Sequence, residues 1–409
     1  MERLVAAVLA AGVLQVLLAT ADDHYLLSRI AFGPCANQNA PQPIWDAINK
    51  FDPQVFIWLG DNIYGDIRRP FNFLVKERTI GPWKNAPRFI PSSSSEMLSR
   101  YNSAKNVPGY LRLRAKAKVV GTWDDHDYGL NDAGKELSAK TTNQRLLLDF
   151  LDEPQDSPRR KQDGVYTSYT FGPPGKQVKI VLLDTRYHRD PLSSDGSVLG
   201  DSQWSWLGKE LRGPPSAITI IGSSIQRDGV FFISGDVHFG EITRYDCAAG
   251  YPLYDITSSG LTQAVEKVLP SPLRFIVRFL AWFTPSTMRV KNQNCRYRSC
   301  TYGEPNFGAI QIDWDASPVN LKIQVRDING LPVTGVDISL SELQAWNRTI
   351  KAGQDQRHCT LEVKLPWIVR YRLAILVYSV LALLLLALVG LICAVTLACR
   401  VCLRKRKTD

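Results

Sequence analysis

Leu373 to Cys399 is a run of 27 residues without a charge. As a helix it would be about 40 Å long, more than the roughly 30 Å of hydrocarbon in a bilayer. A buried core helix is rarely so long and so uniformly apolar, and the run predicts a transmembrane span over 373–399. Behind it, RVCLRKRKTD carries Arg400, Arg404, Lys405, Arg406 and Lys407, a cluster that the positive-inside rule keeps in the cytoplasm. At the other end, Glu2 and Arg3 precede an apolar run from Leu4 to Ala19, with small residues at Ala19-Thr20-Ala21. That pattern predicts a signal peptide over 1–21. The two ends together predict a single-pass type I membrane protein. Its domain, 22–365, would lie in a secretory or endolysosomal lumen or outside the cell; 366–399 would be the juxtamembrane segment and span, and 400–409 the basic tail.

The formal net charge of the chain is +10, and the tail supplies four of those charges, so the domain itself is mildly basic. That suits anionic substrates or membrane surfaces; with no arginine-rich or aromatic-interleaved stripe, it argues against nucleic-acid binding. Of the eight cysteines, Cys393, Cys399 and Cys402 lie in or beside the span, where the last two are either palmitoylation sites or spacers. Cys35, Cys247, Cys295, Cys300 and Cys359 remain outside. In an oxidising compartment this odd number leaves one without an intrachain partner. Asn347-Arg348-Thr349 is a glycosylation sequon and fits a lumenal domain.

The regularity that bears on chemistry recurs at four places. RIAFGPC (29–35), VFIWLGD (55–61), KVVGTWDD (118–125) and VFFISGDVH (230–238) each run from apolar residues through a glycine to metal-competent side chains. Short, nearly continuous apolar runs predict strands covered on both faces, as in α/β and layered sandwich folds. Ligands in open α/β sheets bind beyond the carboxyl ends of strands. The four tips, bearing Cys35, Asp61, Asp124 with Asp125, and Asp236 with His238, are therefore expected to converge. Packed carboxylates repel unless protonated or neutralised by cations, and mixed Asp, His, Tyr and Cys donors suit transition metals. Tyr64, three residues after Asp61, can reach the same ion across one turn. His126 lies among Asp124, Asp125 and Asp127, which favours its charged form.

Each motif alone has a plainer reading: an aspartate after a strand is often a helix cap, DDHD a solvated acidic loop, and Cys35 a small buried residue or half of a disulfide. The set of four is what points to a metal centre. Ser234, before Gly235, has no evident base and is no candidate nucleophile.

GPC, LGDNIYGD, TWDDHDYGLND, LDTR and SGDVHFGE, in this order, resemble the alkaline phosphatase D (PhoD-like) family of metallophosphatases, relatives of the calcineurin-like and purple acid phosphatases. The resemblance implies a four-layer αββα sandwich that hydrolyses phosphate mono- or diesters with metal-activated water; with the span predicted above, the chain would be a membrane-anchored phosphoesterase. The resemblance also implies two or more metal ions, iron(III) with calcium or another divalent ion. Asp61 would bridge them, Tyr64 and Cys35 would bind the iron, Asp125 would bind the second ion, and Asp236 and His238 would give one ligand to each. A metal-bound Cys35 would be the cysteine left out of disulfides. His126 would be the catalytic histidine, and Asp124, Asn131 and Arg186 would support ligands or contact phosphate.

NFGAIQIDW, VNLKIQVRD, the Asn329-Gly330 turn and VDISL predict a meander completing the second sheet. LRFIVRFLAWF (273–283) predicts a helix that either packs on the sheet or lies on the membrane. Between GSSIQ and SGDVH, family members carry a longer segment than Gln226-Arg227-Asp228-Gly229. Parallel neighbours need a long crossover, so the Ile220 strand is expected to be displaced or antiparallel, or the topology altered. A non-catalytic short isoform or binding form is the alternative reading.

Overall fold

The computed structural model describes residues 25–68, 89–191, 194, 196–223, 231–245, 252–270, 272–275, 279, 290, 300–343 and 366–408. The signal-peptide region, Gln226–Gly229 and Asn347 lie outside the described residues.

The chain opens with β1 (Arg29–Gly33), α1 (Ile44–Phe51) and β2 (Val55–Leu59), then a small ribbon of β3 (Ile67–Arg68) and β4 (Phe89–Ile90). Helices α2 (Ser94–Lys105) and α3 (Pro108–Arg114) lead into β5 (Lys118–Thr122), a one-turn α4 (Asp125–Tyr128) and α5 (Lys140–Phe150). There follow β6 (Thr167–Phe171), β7 (Val178–Leu182), α6 (Gly200–Arg212), β8 (Ile218–Ser223), β9 (Phe231–Ser234), β10 (Gly240–Tyr245) and β11 (Leu253–Ser258). A one-turn α7 (Val265–Val268) precedes the meander β12 (Asn306–Asp313), β13 (Asn320–Asp327) and β14 (Pro332–Ser339), and α8 (Arg372–Thr408) ends the described chain.

Among the described residues the strands make two six-stranded sheets, ordered β14-β13-β12-β1-β2-β5 and β10-β11-β9-β8-β7-β6, besides the ribbon. Side-chain alternation explains the layering. In β2, Val55, Ile57 and Leu59 face the second sheet, while Phe56 and Trp58 face the helices. In β9, Phe231 and Ile233 face the first sheet and Phe232 faces outward. The space between the sheets is filled by Ile30, Phe32, Ile180, Ile220, Ile256 and Ile310, among others. Outside the first sheet, Trp45 of α1 and Tyr110 of α3 each pack edge-on against Trp58, whose indole N–H donates to the Tyr110 hydroxyl at 3.0 Å. Outside the second sheet, Leu207 of α6 packs with Val181, Ile221 and Phe232. Helices thus pack outside both sheets of a mixed α/β fold.

Two expectations are corrected. The meander extends the first sheet, because β12 pairs antiparallel with β1 (Ala31 opposite Ala309); it does not complete the second. The Ile220 strand is neither displaced nor antiparallel: β8 pairs parallel with β9, Ile220 opposite Phe231 and Ser223 opposite Ser234. The paired segment is only four residues long, so the chain must retrace only about 13 Å. The residues numbered 224–230 can span up to about 24 Å when extended.

Ala374–Ala398 within α8 is long and apolar enough to cross a membrane, and none of it is buried in the structure.

Candidate metal centre

Each ligand-bearing tip is set by a backbone turn directly after its strand. Cys35, Asp61, Asp236 and His238 all have left-handed backbones, with φ of 64°, 49°, 70° and 60°, a conformation that costs a non-glycine residue roughly 1–2 kcal/mol. The tips of β1 and β2 are tied by Cys35 N–H to the Gly60 carbonyl (3.3 Å) and Ala36 N–H to the Asp61 carbonyl (3.0 Å). A Cβ at Gly60 would lie 2.4 Å from the Asp124 Cβ, so glycine is what lets the β2 and β5 tips touch. Gly235 serves the β9 tip in the same way, since its Cβ would stand 2.7 Å from Pro34 Cγ of the β1 tip.

These turns bring together three overlapping donor sets: Cys35, Asp61 and His238; Asp61, Asp125 and His126; and Asp124, Asp125 and Asp236, each with ligand atoms within 4.8 Å of one another. Asp61 belongs to two sets and Asp125 to two. Tyr64 joins the first, its hydroxyl 3.3 Å from His238 Nε2. Its backbone is clipped by Gln38, which accepts from Tyr64 N–H at 3.0 Å. Cys35 is a buried free thiol, 3.5 Å from Asp61 Oδ2 and 3.4 Å from Ser259 Oγ, whereas Cys300 is disulfide-bonded. Asp61 Oδ1 also accepts from His126 N–H at 3.3 Å. Asp125 accepts from the backbone N–H groups of His126 (2.9 Å) and Asp132 (2.7 Å).

The electrostatics are those of an acidic cluster buried in a basic chain. Burial, then the charges of Asp125 and Asp124, push Asp61 up to about 8, against the pull of His126. Asp236 is exposed, yet desolvation by the surrounding protein, then the Asp125 charge, raises it to about 7. Asp125 is the exception: burial would raise it, but His126, Arg186 and its two backbone donors hold it at about 2. Burial opposes the charge of His126 too, but Asp125, Asp61 and Asp66 outweigh it and raise the imidazole well above its usual value. His238, desolvated and beside His126, falls to about 4 and is therefore neutral, as a metal-ligating imidazole must be. Asp124 Oδ1 accepts from Arg186 Nε at 2.6 Å and pairs with its Nη2. Asp124 Oδ2 and Arg186 Nη1 are buried with no hydrogen-bond partner. An orphaned carboxylate oxygen within a crowd of carboxylates is a site that cations fit.

Three residues with defined roles carried no signal of their own type. Asp66, the second aspartate of GDNIYGD, holds His126 Nδ1 at 2.8 Å and accepts from Asn131 N–H at 2.9 Å. Asp127 accepts from the N–H groups of Asp61 (3.2 Å), Asn62 (3.1 Å) and Asp124 (2.7 Å), tying the β2 tip to the β5 tip. Ser259 touches Cys35 and accepts from His238 N–H at 2.9 Å. Of the supporting residues expected from sequence, Arg186 lies against Asp124, while the Asn131 side chain bonds to Asp132 at 2.8 Å. Asp124 also caps α4, as the plainer reading of an aspartate after a strand had it.

Residues 30–229 match the model of the PhoD-like phosphatases, a stretch that ends before Asp236 and His238. Among solved structures, one described as the structure of PhoD superposes with a TM-score of 0.52 at 14% identity, covering 77% of this chain and 69% of that one. At that identity the likeness bears on the fold alone. GAP50, the anchor in the inner membrane complex of Plasmodium, aligns with a TM-score of 0.44 at 11% identity, over 77% of this chain and 89% of that chain. No curated protein matches the chain.

Proposed function

We propose that this chain, a PhoD-like phosphatase over residues 30–229, is a membrane-anchored phosphoesterase that hydrolyses phosphate mono- or diesters at the centre built around Asp61. The observation that carries this reading is that Asp61 stands in two donor sets at once, as a carboxylate bridging two cations would. Cys35, Tyr64, His238 and Asp61 would hold a ferric ion, whose high charge the anionic phenolate, thiolate and carboxylate donors would balance. Asp61, Asp125, Asp236 and Asp124 would hold calcium or another divalent ion. When bound, such a pair lowers the pKa of a water molecule toward neutrality and offsets the charge of an approaching phosphate.

The chain's own residues do the rest. With Nδ1 held by Asp66, His126 has Nε2 for the substrate and carries a proton for the leaving oxygen. Arg186, buried and fixed by Asp124, would add its positive charge beneath the centre and so offset charge on a bound phosphate. Asp127 holds the bridging loop in register through its three backbone donors. The domain of 22–365 would face a lumen or the exterior, α8 would cross the bilayer, and the basic tail would stay in the cytoplasm. Trp367 and Tyr371, exposed just before the apolar stretch, suit its outer boundary.

Asp61→Asn in the purified full chain tests the reading. Metal content is expected to drop, and hydrolysis of a chromogenic phosphate ester to fall by at least about 100-fold. A metal-free, inactive wild-type protein would sink it.

A further inference from the structure

A cluster of exposed apolar side chains stands a short chain path from the metal centre, and neither the core nor the hydrolysis uses it. Leaving β11, the chain passes Ser259 and then Thr262, whose hydroxyl donates to the Cys35 carbonyl at 3.3 Å. It enters α7, where Val265 N–H donates to the His238 carbonyl at 2.8 Å, so α7 is seated on the loop that carries Asp236 and His238. Arg274 N–H then bonds to the Pro270 carbonyl (3.0 Å) and its Nε to the Leu269 carbonyl (2.6 Å), folding the chain into a helical turn. Leu273 in this turn, Phe275 just after it and Phe279 farther along the chain present 47%, 71% and 41% of their surface. The two phenyl rings stack with centroids 6.4 Å apart, and Lys267 is exposed close by in sequence. Ten residues separate Val265 from Phe275, in part helical, which bounds the distance from the His238 carbonyl to Phe275 at roughly 25 Å.

Exposed aromatic and aliphatic side chains that cluster mark a surface with a partner. Interspersed with lysine and arginine, they have the composition of segments that lie in a bilayer interface. The chain supplies that partner itself through the unburied apolar stretch Ala374–Ala398, with Trp367 and Tyr371 at its outer end. We infer that Leu273, Phe275 and Phe279 dock into the headgroup layer of the membrane that anchors the chain, and that the substrate is a membrane-borne phosphate ester presented beside the Asp236–His238 loop. The substrate half of this inference rests on the phosphoesterase reading; the docking half does not.

The full chain reconstituted into phosphatidylcholine vesicles containing phosphatidic acid separates the two halves. Benzoylphenylalanine at position 275 is expected to crosslink to lipid at least about tenfold more than at Leu111, an exposed residue of α3. Equal crosslinking overturns the docking. The double variant Phe275→Asp with Phe279→Asp should lose about tenfold in hydrolysis of the vesicle lipids, while hydrolysis of p-nitrophenyl phosphate stays within about twofold. A parallel fall on both esters, or on neither, overturns the lipid substrate. Strong crosslinking at 275 with a wild-type protein inactive on every ester would leave the docking standing and remove the phosphoesterase reading.

Discussion

Asp66 shows how a residue outside the ligand sets can govern the chemistry. Its side chain is almost fully buried, with one oxygen on His126 Nδ1 and the other on Asn131 N–H, so it fixes both the ring plane and the nitrogen left for substrate. Asp66→Asn is expected to lower kcat by about 10–100-fold with metal content unchanged, as read by hydrolysis assays beside metal analysis. Asp61 gives a second residue-scale prediction. Its folded pKa of about 8 lies above the unfolded value near 4. Its contribution to stability is therefore present below about pH 4 and is lost as pH rises through about 8. His126, also raised, acts in the same direction. His238, lowered to about 4, changes stability only below about pH 6.5, and Asp125, lowered to about 2, only below about pH 4. Asp236, raised to about 7, adds to the loss, and His238 offsets part of it below about pH 6.5; the chelator-stripped protein should thus melt at progressively lower temperature as pH rises from about 4 to about 8, and metal should abolish the slope by favouring the carboxylates. Calorimetry with and without chelator reads both.

At the scale of elements, the strand tips are positioned by packing far from the centre. Gly308 of β12 faces Phe32 of β1, and a Cβ there would meet the phenyl ring at 2.0 Å. Gly308→Val should destabilise the fold by about 1–3 kcal/mol and, because Phe32 lies three residues before Cys35, lower metal content as well; denaturant titration and metal analysis check the two effects. The four tips were legible in the sequence because each is local: apolar run, glycine and ligand fall within nine residues. Partners across sheets were not. β12 pairs with β1 across nearly the whole domain, and nothing in NFGAIQIDW says which sheet it will join. The parallel placing of β8 beside β9 was obscured in the same way, because the need for a long crossover depends on how much strand must be retraced. Ser259 and the tying role of Asp127 escaped notice for a different reason: both serve backbone N–H groups, a task that leaves no spacing or residue type to recognise.

For the whole molecule, the unburied apolar stretch of α8 sets the expectation that the full chain stays with membranes through alkaline carbonate extraction, whereas a chain ending at 365 is released to the supernatant; immunoblotting of the two fractions checks it. A basic tail and a mildly basic domain would both favour anionic lipid, one on each side of the bilayer. The site runs against that overall charge, with five buried aspartates, Asp61, Asp66, Asp124, Asp125 and Asp127, and the exposed Asp236 around Arg186, His126 and His238. This arrangement lowers the stability of the metal-free domain, and the left-handed backbones of Cys35, Asp61, Asp236 and His238 lower it further. Glycine would relieve each of those four positions at no steric cost while erasing the chemistry. Selection for folding alone would therefore carry such a lineage toward a sturdier, inert protein, and a relative with glycines at these tips would be the expected remnant of a lost activity.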